Sequence, residues 1–174
     1  MSQTTADLTD KSMMDRCIRL SGEAVRQGEF PFAAIICRGD DVLVEATNRV
    51  RQDKDVSRHA EMVALSEAQK LLGSSNLNDC TLYSNVEPCP MCAFMIRETR
   101  IKRVVFSLKS PFMGGLSRWD ILSDKTLSSR MPEMFASPPE VIGGLLPNDA
   151  ARVWRRWNPI GWCVIRVRGI FSRA

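Results

Sequence analysis

The sequence predicts an α/β fold in which helices pack on a largely parallel sheet. Past residue 30 the elements alternate as strand, helix, strand, helix, strand, an order that favours a layered sheet with covering helices. Two of the helical segments carry apolar residues at helical spacing, and four short apolar runs have strand length. The 174 residues, 44% hydrophobic and 25% charged, suit one globular domain with a sizeable core.

Residues 1–8 read as a loose N-terminus. From Thr9 to Gln27, Met14, Cys17, Ile18, Ala24 and Val25 recur on one face, with Thr9 or Asp10 as N-cap and Gly28 as stop. Phe32–Cys37, the turn Arg38-Gly39-Asp40-Asp41 and Val42–Ala46 read as a β-hairpin leading to Asn48. Ser57 is the expected cap of a helix ending near Leu72, with Gly73 at its C-terminus. A strand follows over Cys80–Ser84. Pro90 fits the first position of a helix through Arg97, and Arg103–Leu108 forms a fourth strand. The segment 109–147 is rich in Ser, Pro and Gly, with one helix expected near Trp119–Leu127 and a short strand near Val141. Asn148 or Asp149 caps a last helix through Trp157. This divides the chain into a loose 1–8, a domain over 9–157, and an extension over 158–174 of unknown role.

The first seventeen residues lack a basic start followed by an apolar run, and no stretch approaches the ~18 apolar residues needed to cross a bilayer. A cytoplasmic location is expected, with no membrane partner. There thiols stay reduced, so the six cysteines do not read as a disulfide framework. The net charge of +4 permits a nucleic-acid partner without requiring one.

The chemistry concentrates in His59-Ala60-Glu61 and Pro88-Cys89-Pro90-Met91-Cys92, each at an expected helix start, with a strand between them. Two thiolates and an imidazole suit zinc. Three protein ligands leave the fourth position for water, as in a catalytic rather than a structural site. A bound zinc brings the pKa of water near neutrality, and a carboxylate beside it, here Glu61, can move protons. In mid-helix, residues two apart point roughly 200° apart. His59 and Glu61 therefore share one site only if the helix begins close to Ser57.

Together these residues resemble the zinc deaminase signature H-x-E…P-C-x-x-C, with the Glu acting as acid/base and not as a ligand. The chain is similar to the cytidine/deoxycytidylate deaminase superfamily, most of all to bacterial guanine deaminases and bacterial tRNA adenosine deaminases. The likeness extends through Glu29–Ile36, Asn48, Leu77–Tyr83 and Arg100–Phe106, and covers about residues 10 to 157. It implies a three-layer α/β/α fold with a mixed five-stranded sheet, usually homodimeric. It implies one zinc on His59, Cys89 and Cys92, and hydrolytic replacement of a ring amino group, with ammonia leaving and Glu61 shuttling protons. Asn48 and the backbone N–H of Ala60 would hold the base edge.

Three functions compete. A free purine, guanine foremost, is favoured by Pro31-Phe32 and the Pro-Cys-Pro-Met-Cys form of the motif; Phe32 and Asp120, in Trp119-Asp120, then join the substrate contacts. Adenosine in a tRNA anticodon is the alternative, because Met113–Ser117 and Asp120–Leu122 resemble the tRNA enzymes. Arg152, Arg155 and Arg156 with Trp154 and Trp157 would then face RNA; otherwise they form an amphipathic helix with its tryptophans in the core. After the fourth strand, Leu108–Phe112 lacks the acidic residue of the tRNA enzymes, and Phe112 there would cover a small pocket. The third reading, a non-catalytic zinc-folded binding subunit, fits poorly because Glu61 is present.

Overall fold

The computed structural model describes residues 6–172. Five strands form one sheet in the order β2-β1-β3-β4-β5: β1 (Ala33–Arg38), β2 (Asp41–Thr47), β3 (Cys80–Val86), β4 (Arg103–Leu108) and β5 (Glu140–Gly143). The sheet is mixed rather than largely parallel: β1 runs antiparallel to both β2 and β3, while β3, β4 and β5 are parallel. The turn at Gly39-Asp40 forces β2 to run back along β1. The helix after β2 crosses over and returns β3 parallel to β2, on the far side of β1, so β3 opposes β1.

One face of the sheet carries α3 (Ala60–Leu72) and α4 (Pro90–Glu98). The other carries α1 (Leu8–Arg26), α6 (Pro147–Trp157) and α7 (Pro159–Val167). Alternation along β1 serves both faces: Ala34 and Ile36 pack with Ala64, Leu65 and Ile96, whereas Ala33 and Ile35 pack with Met14, Cys17 and Trp154. A strand buried on both faces reads as a continuous apolar run, as Ala33–Cys37 does.

Several caps differ from expectation. Asp7 caps α1, and Asp10 is the third helical residue, the two completing a capping box. Asp10 is buried because its carboxylate also accepts from Arg103 at 2.5 and 2.7 Å and from the Tyr83 hydroxyl at 2.9 Å. Leu146 precedes α6 with φ 53°, since Pro147 starts the helix and has no N–H to cap. The helix expected over Trp119–Leu127 is α5 (Lys125–Arg130); the chain turns at Asp120, where φ is 56°, and Asp124 then accepts from the Thr126 N–H. A four-residue helix, α2 (Val50–Asp53), has no counterpart in the sequence reading.

The irregular segment after β4 hangs on two buried charged side chains at opposite ends of α4. Glu87, just before it, accepts from the N–H groups of Ser110, Leu116 and Ser117 and from the Ser117 hydroxyl, at 2.6–3.1 Å. Arg97, near its end, donates to the carbonyls of Ile121, Asp124 and Ala136 and to the Ser128 hydroxyl, at 2.6–3.1 Å. The Glu87 carboxylate leaves no space at Gly114: a Cβ there would lie 2.1 Å from Glu87 Oε1. Gly114→Ala is therefore expected to cost about 1–3 kcal/mol through overpacking. Chemical denaturation of the zinc-loaded protein checks this; wild-type stability would remove Glu87 as the anchor of 110–117.

Residues 158–172, left without a structure by the sequence reading, complete the helical layer. Asn158 caps α7, and Trp162 and Phe171 are buried against Trp154. The chain then returns to the end of β4, where Ser172 bridges Lys109 and the Ser110 hydroxyl donates to the Ile170 carbonyl.

Candidate active site

His59 and Cys89 are the N-caps of α3 and α4, not residues inside their first turns. Ser57 does not cap α3, because Asp55 Oδ1 accepts from both its N–H and its hydroxyl and holds it in a turn. The requirement that the helix begin near Ser57 is thus met in another way. His59 has extended backbone (φ −63°, ψ 150°), so helical phase does not separate its ring from Glu61. Pro90 supplies the first residue of α4, and Cys92 follows one turn from the cap.

The two helix N-termini bring three donors together. Cys89 Sγ lies 3.5 Å and Cys92 Sγ 3.6 Å from His59 Nδ1, and the sulfurs are 3.6 Å apart. A tetrahedral zinc, with bonds of about 2.3 Å to sulfur and 2.0–2.1 Å to nitrogen, sets ligand edges of about 3.5–3.8 Å. The observed triangle fits such an ion without rearrangement. Hydrogen bonding from Cys92 pulls the Cys89 thiol down to about 4, and the Cys89 sulfur in turn pushes Cys92 up. A cation between them, with two helix dipoles aimed at it, favours both thiolates.

Glu61 is buried beside this group, and burial raises its pKa above the ordinary carboxylate value, with the Cys89 charge adding to the effect. Ser84 Oγ lies 3.2 Å from Glu61 Oε1 and 2.7 Å from the Val86 carbonyl. The single hydroxyl hydrogen serves one acceptor at a time, so with it on Val86 the Glu61 contact is a hydrogen bond when Glu61 is protonated. A buried carboxyl beside a metal suits proton shuttling.

These groups open into a cavity of about 210 Å³ whose lining includes Phe32, His59, Glu61, Met113, Ile170 and Phe171. Phe32 stands edge-on to Trp154 at 4.9 Å and to Phe171 at 6.3 Å, which fixes its ring as a wall. Ala60 is the first residue of α3, so its N–H has no intrahelical acceptor. Asn48 is buried at the end of β2, its N–H donating to the Phe32 carbonyl at 3.1 Å. Asp120 lies elsewhere: it is exposed, bonded to Ser123, and not part of the cavity lining. Phe112, expected over a small pocket, is 61% exposed, and its neighbour Met113 lines the cavity instead. Trp154 is buried in the core and Arg152, Arg155 and Arg156 point to solvent, the amphipathic arrangement of α6. The sequence reading missed Glu29, Glu87, Met113 and the Ile170-Phe171 wall. An acid next to Pro88-Cys89 and the Gly114-Gly115 pair were the available signals for Glu87.

Fold and site together define an α/β/α metal-dependent hydrolase. Residues 8–108 match the family described as the cytidine and deoxycytidylate deaminase zinc-binding region. The chain belongs to this family: it is a deaminase, an enzyme acting on a C–N bond, with zinc as its cofactor. A tRNA-specific adenosine deaminase of Aquifex aeolicus is 37% identical over 66% of this chain and 76% of its own. The guanine deaminase of Bacillus subtilis is 36% identical over 58% and 65%. A structure from work on A-to-I editing by tRNA:A34 deaminases at the wobble position of transfer RNA superposes with a TM-score of 0.73 at 28% identity, covering 82% of this chain and 98% of that one. The chain spans only 27% and 23% of two Deinococcus relatives named tRNA(Ile)-lysidine synthase. Among the described residues, no helix is long and apolar enough to cross a membrane, and all six cysteines are free.

Proposed function

We propose that this chain hydrolyses the amino group from a free purine base of the guanine type. The observation that carries this is the size of the cavity. Its roughly 210 Å³ falls below the ~300–1,000 Å³ usual for ligand clefts, and Ile170 and Phe171 of the same chain form one wall. Such a space suits a single ring system better than a base still attached to a polynucleotide. His59, Cys89 and Cys92 would hold the zinc, which when bound would supply an activated water near neutral pH. Glu61 would take a proton from the attacking water and deliver protons to the ring nitrogen and the departing amine. The water oxygen ends as the ring carbonyl, and the nitrogen leaves as ammonia. Asn48 and the Ala60 N–H hold the base edge, and Phe32 packs on its face.

A second reading, adenosine within a tRNA anticodon, is favoured by the Aquifex relative and by the 98% coverage of the tRNA:A34 deaminase structure. A homodimer is supported by a groove of about 690 Å³ lined by residues of α3, of α4 and of the turn after α5, where Met91, Phe94 and Met134 are exposed. Cytoplasmic residence accords with the free thiols.

Ammonia release from guanine, adenine, cytosine and their nucleosides, beside an anticodon stem-loop RNA carrying adenosine, tests the assignment. Turnover of free guanine with the RNA untouched is the expected result. Turnover of the RNA alone would overturn it in favour of the second reading.

A further inference from the structure

Glu29 is a fully buried carboxylate in the turn between α1 and β1, outside the metal group and its proton shuttle. Three N–H groups converge on it. Oε1 accepts from the backbone N–H groups of Arg51 and Gln52 at 2.8 Å each, which ties down α2. Oε2 accepts from Asn48 Nδ2 at 2.8 Å. A carboxylate receiving donors has no hydrogen to give, so chemistry assigns the amide orientation: Nδ2 faces Glu29 and Oδ1 faces away.

Asn48 Oδ1 accepts from no donor among the described residues. Nor is it sealed inside protein: among the described residues, the buried side-chain polar atoms without a partner are Arg97 Nε, Ser107 Oγ and Trp154 Nε1. Asn48 is 2% exposed and is not itself among the cavity-lining residues, but its backbone N–H is bonded to the carbonyl of the lining residue Phe32 and its amide nitrogen is tied, which leaves Oδ1 to receive a hydrogen bond from a ligand.

We propose that Glu29 is a positioning residue that fixes the Asn48 amide so that Oδ1, an acceptor, is what the substrate base meets. This role rests on Asn48 holding the base edge, as proposed above. The substrate must then present an N–H donor at that point, which makes Glu29 a determinant of specificity without touching the base.

Glu29→Gln separates positioning from mere packing. The new amide can still accept from Arg51 and Gln52 through its oxygen, but it turns Nε2 toward Asn48. The Asn48 amide then flips, so Oδ1 accepts from Gln and Nδ2 faces the substrate. Every local hydrogen bond survives, yet the group shown to the base is inverted. The expected result is a KM raised about 10- to 100-fold, the scale of one misplaced hydrogen bond in a buried site, with Tm changed little. Pairing Glu29→Gln with Asn48→Asp restores an acceptor toward the substrate, because the amide now donates to one carboxylate oxygen and leaves the other free. The double variant is expected to recover KM to within about threefold of wild type, on the scale of ordinary mutational scatter.

The measurements use guanine or, if guanine is not turned over, whichever base, nucleoside or stem-loop of the panel is, so a wrong substrate assignment does not decide this test. Asn48→Ala is the control. If it raises KM while Glu29→Gln does not, Glu29 is only structural; if Asn48→Ala also leaves KM unchanged, Asn48 does not read the base and both ideas fall. A lowered Tm with wild-type KM in Glu29→Gln, or no recovery in the double variant, also overturns the assignment. Should Glu29→Gln fail to fold, the double variant decides: near-wild-type KM supports it, and a KM still raised tenfold or more does not.

Discussion

Glu61→Gln is expected to lower turnover by about 10²- to 10⁴-fold, the usual contribution of a positioned acid/base, while one zinc per chain is retained. Glutamine keeps the shape of the side chain, and Glu61 is not part of the donor triangle, so the metal geometry has no reason to change. What is lost is a carboxyl that can both take and give a proton, its pKa raised by burial. KM is expected to move less than kcat, because Glu61 acts on the reacting atoms rather than on the outline of the base. Steady-state kinetics with metal analysis on the same samples checks this. Unchanged turnover with full zinc would remove Glu61 as the proton shuttle; a zinc-loaded wild type that turns over nothing in the panel would return the binding-subunit reading.

Removing the metal is expected to abolish activity, by more than about a thousandfold, since bulk water has a pKa of about 15.7 against about 7 for zinc-bound water. Prolonged chelation followed by stoichiometric zinc should lose and then restore turnover. Cys92→Ala should lose it without restoration, for Cys92 is buried between His59 and Cys89 and nothing else in the triangle can replace its sulfur. The same variant is expected to melt lower, because the ion holds the starts of α3 and α4 together. Full activity in a sample shown by elemental analysis to be metal-free would sink the mechanism.

The legible part of this molecule was local. The ligand types, their three-residue spacing and Pro90 at a helix start identify the metal group before any contact is known, and strand lengths and the Gly39-Asp40 turn give the hairpin. What escaped depends on distant residues. Ser57 has a good capping side chain, but Asp55 competes for it two residues away. The antiparallel placement of β3 beside β1 follows from a crossover, which apolar periodicity does not encode. Ile170 and Phe171 form a wall because Ser172 pairs with Lys109, some sixty residues earlier, Ser110 holds the Ile170 carbonyl and Phe171 packs on Trp154. Glu29 and Glu87 look like ordinary charged residues until the N–H groups they collect are seen.

The two ionic anchors flanking α4 separate two kinds of change. Between Glu87 and Arg97 lie the zinc-binding cysteines, on a helix whose N-terminus faces the metal; beyond them lies an irregular stretch held by hydrogen bonds to its backbone more than by the identity of its side chains. Backbone acceptors and donors survive most substitutions. The exposed residues from 110 to 136 can therefore vary, Met113 among them though not Gly114 or Gly115, and reshape what enters the cavity while the ligands and Glu61 stay in register. Chemistry and substrate choice are thereby free to drift apart, one conserved by geometry and the other open to selection.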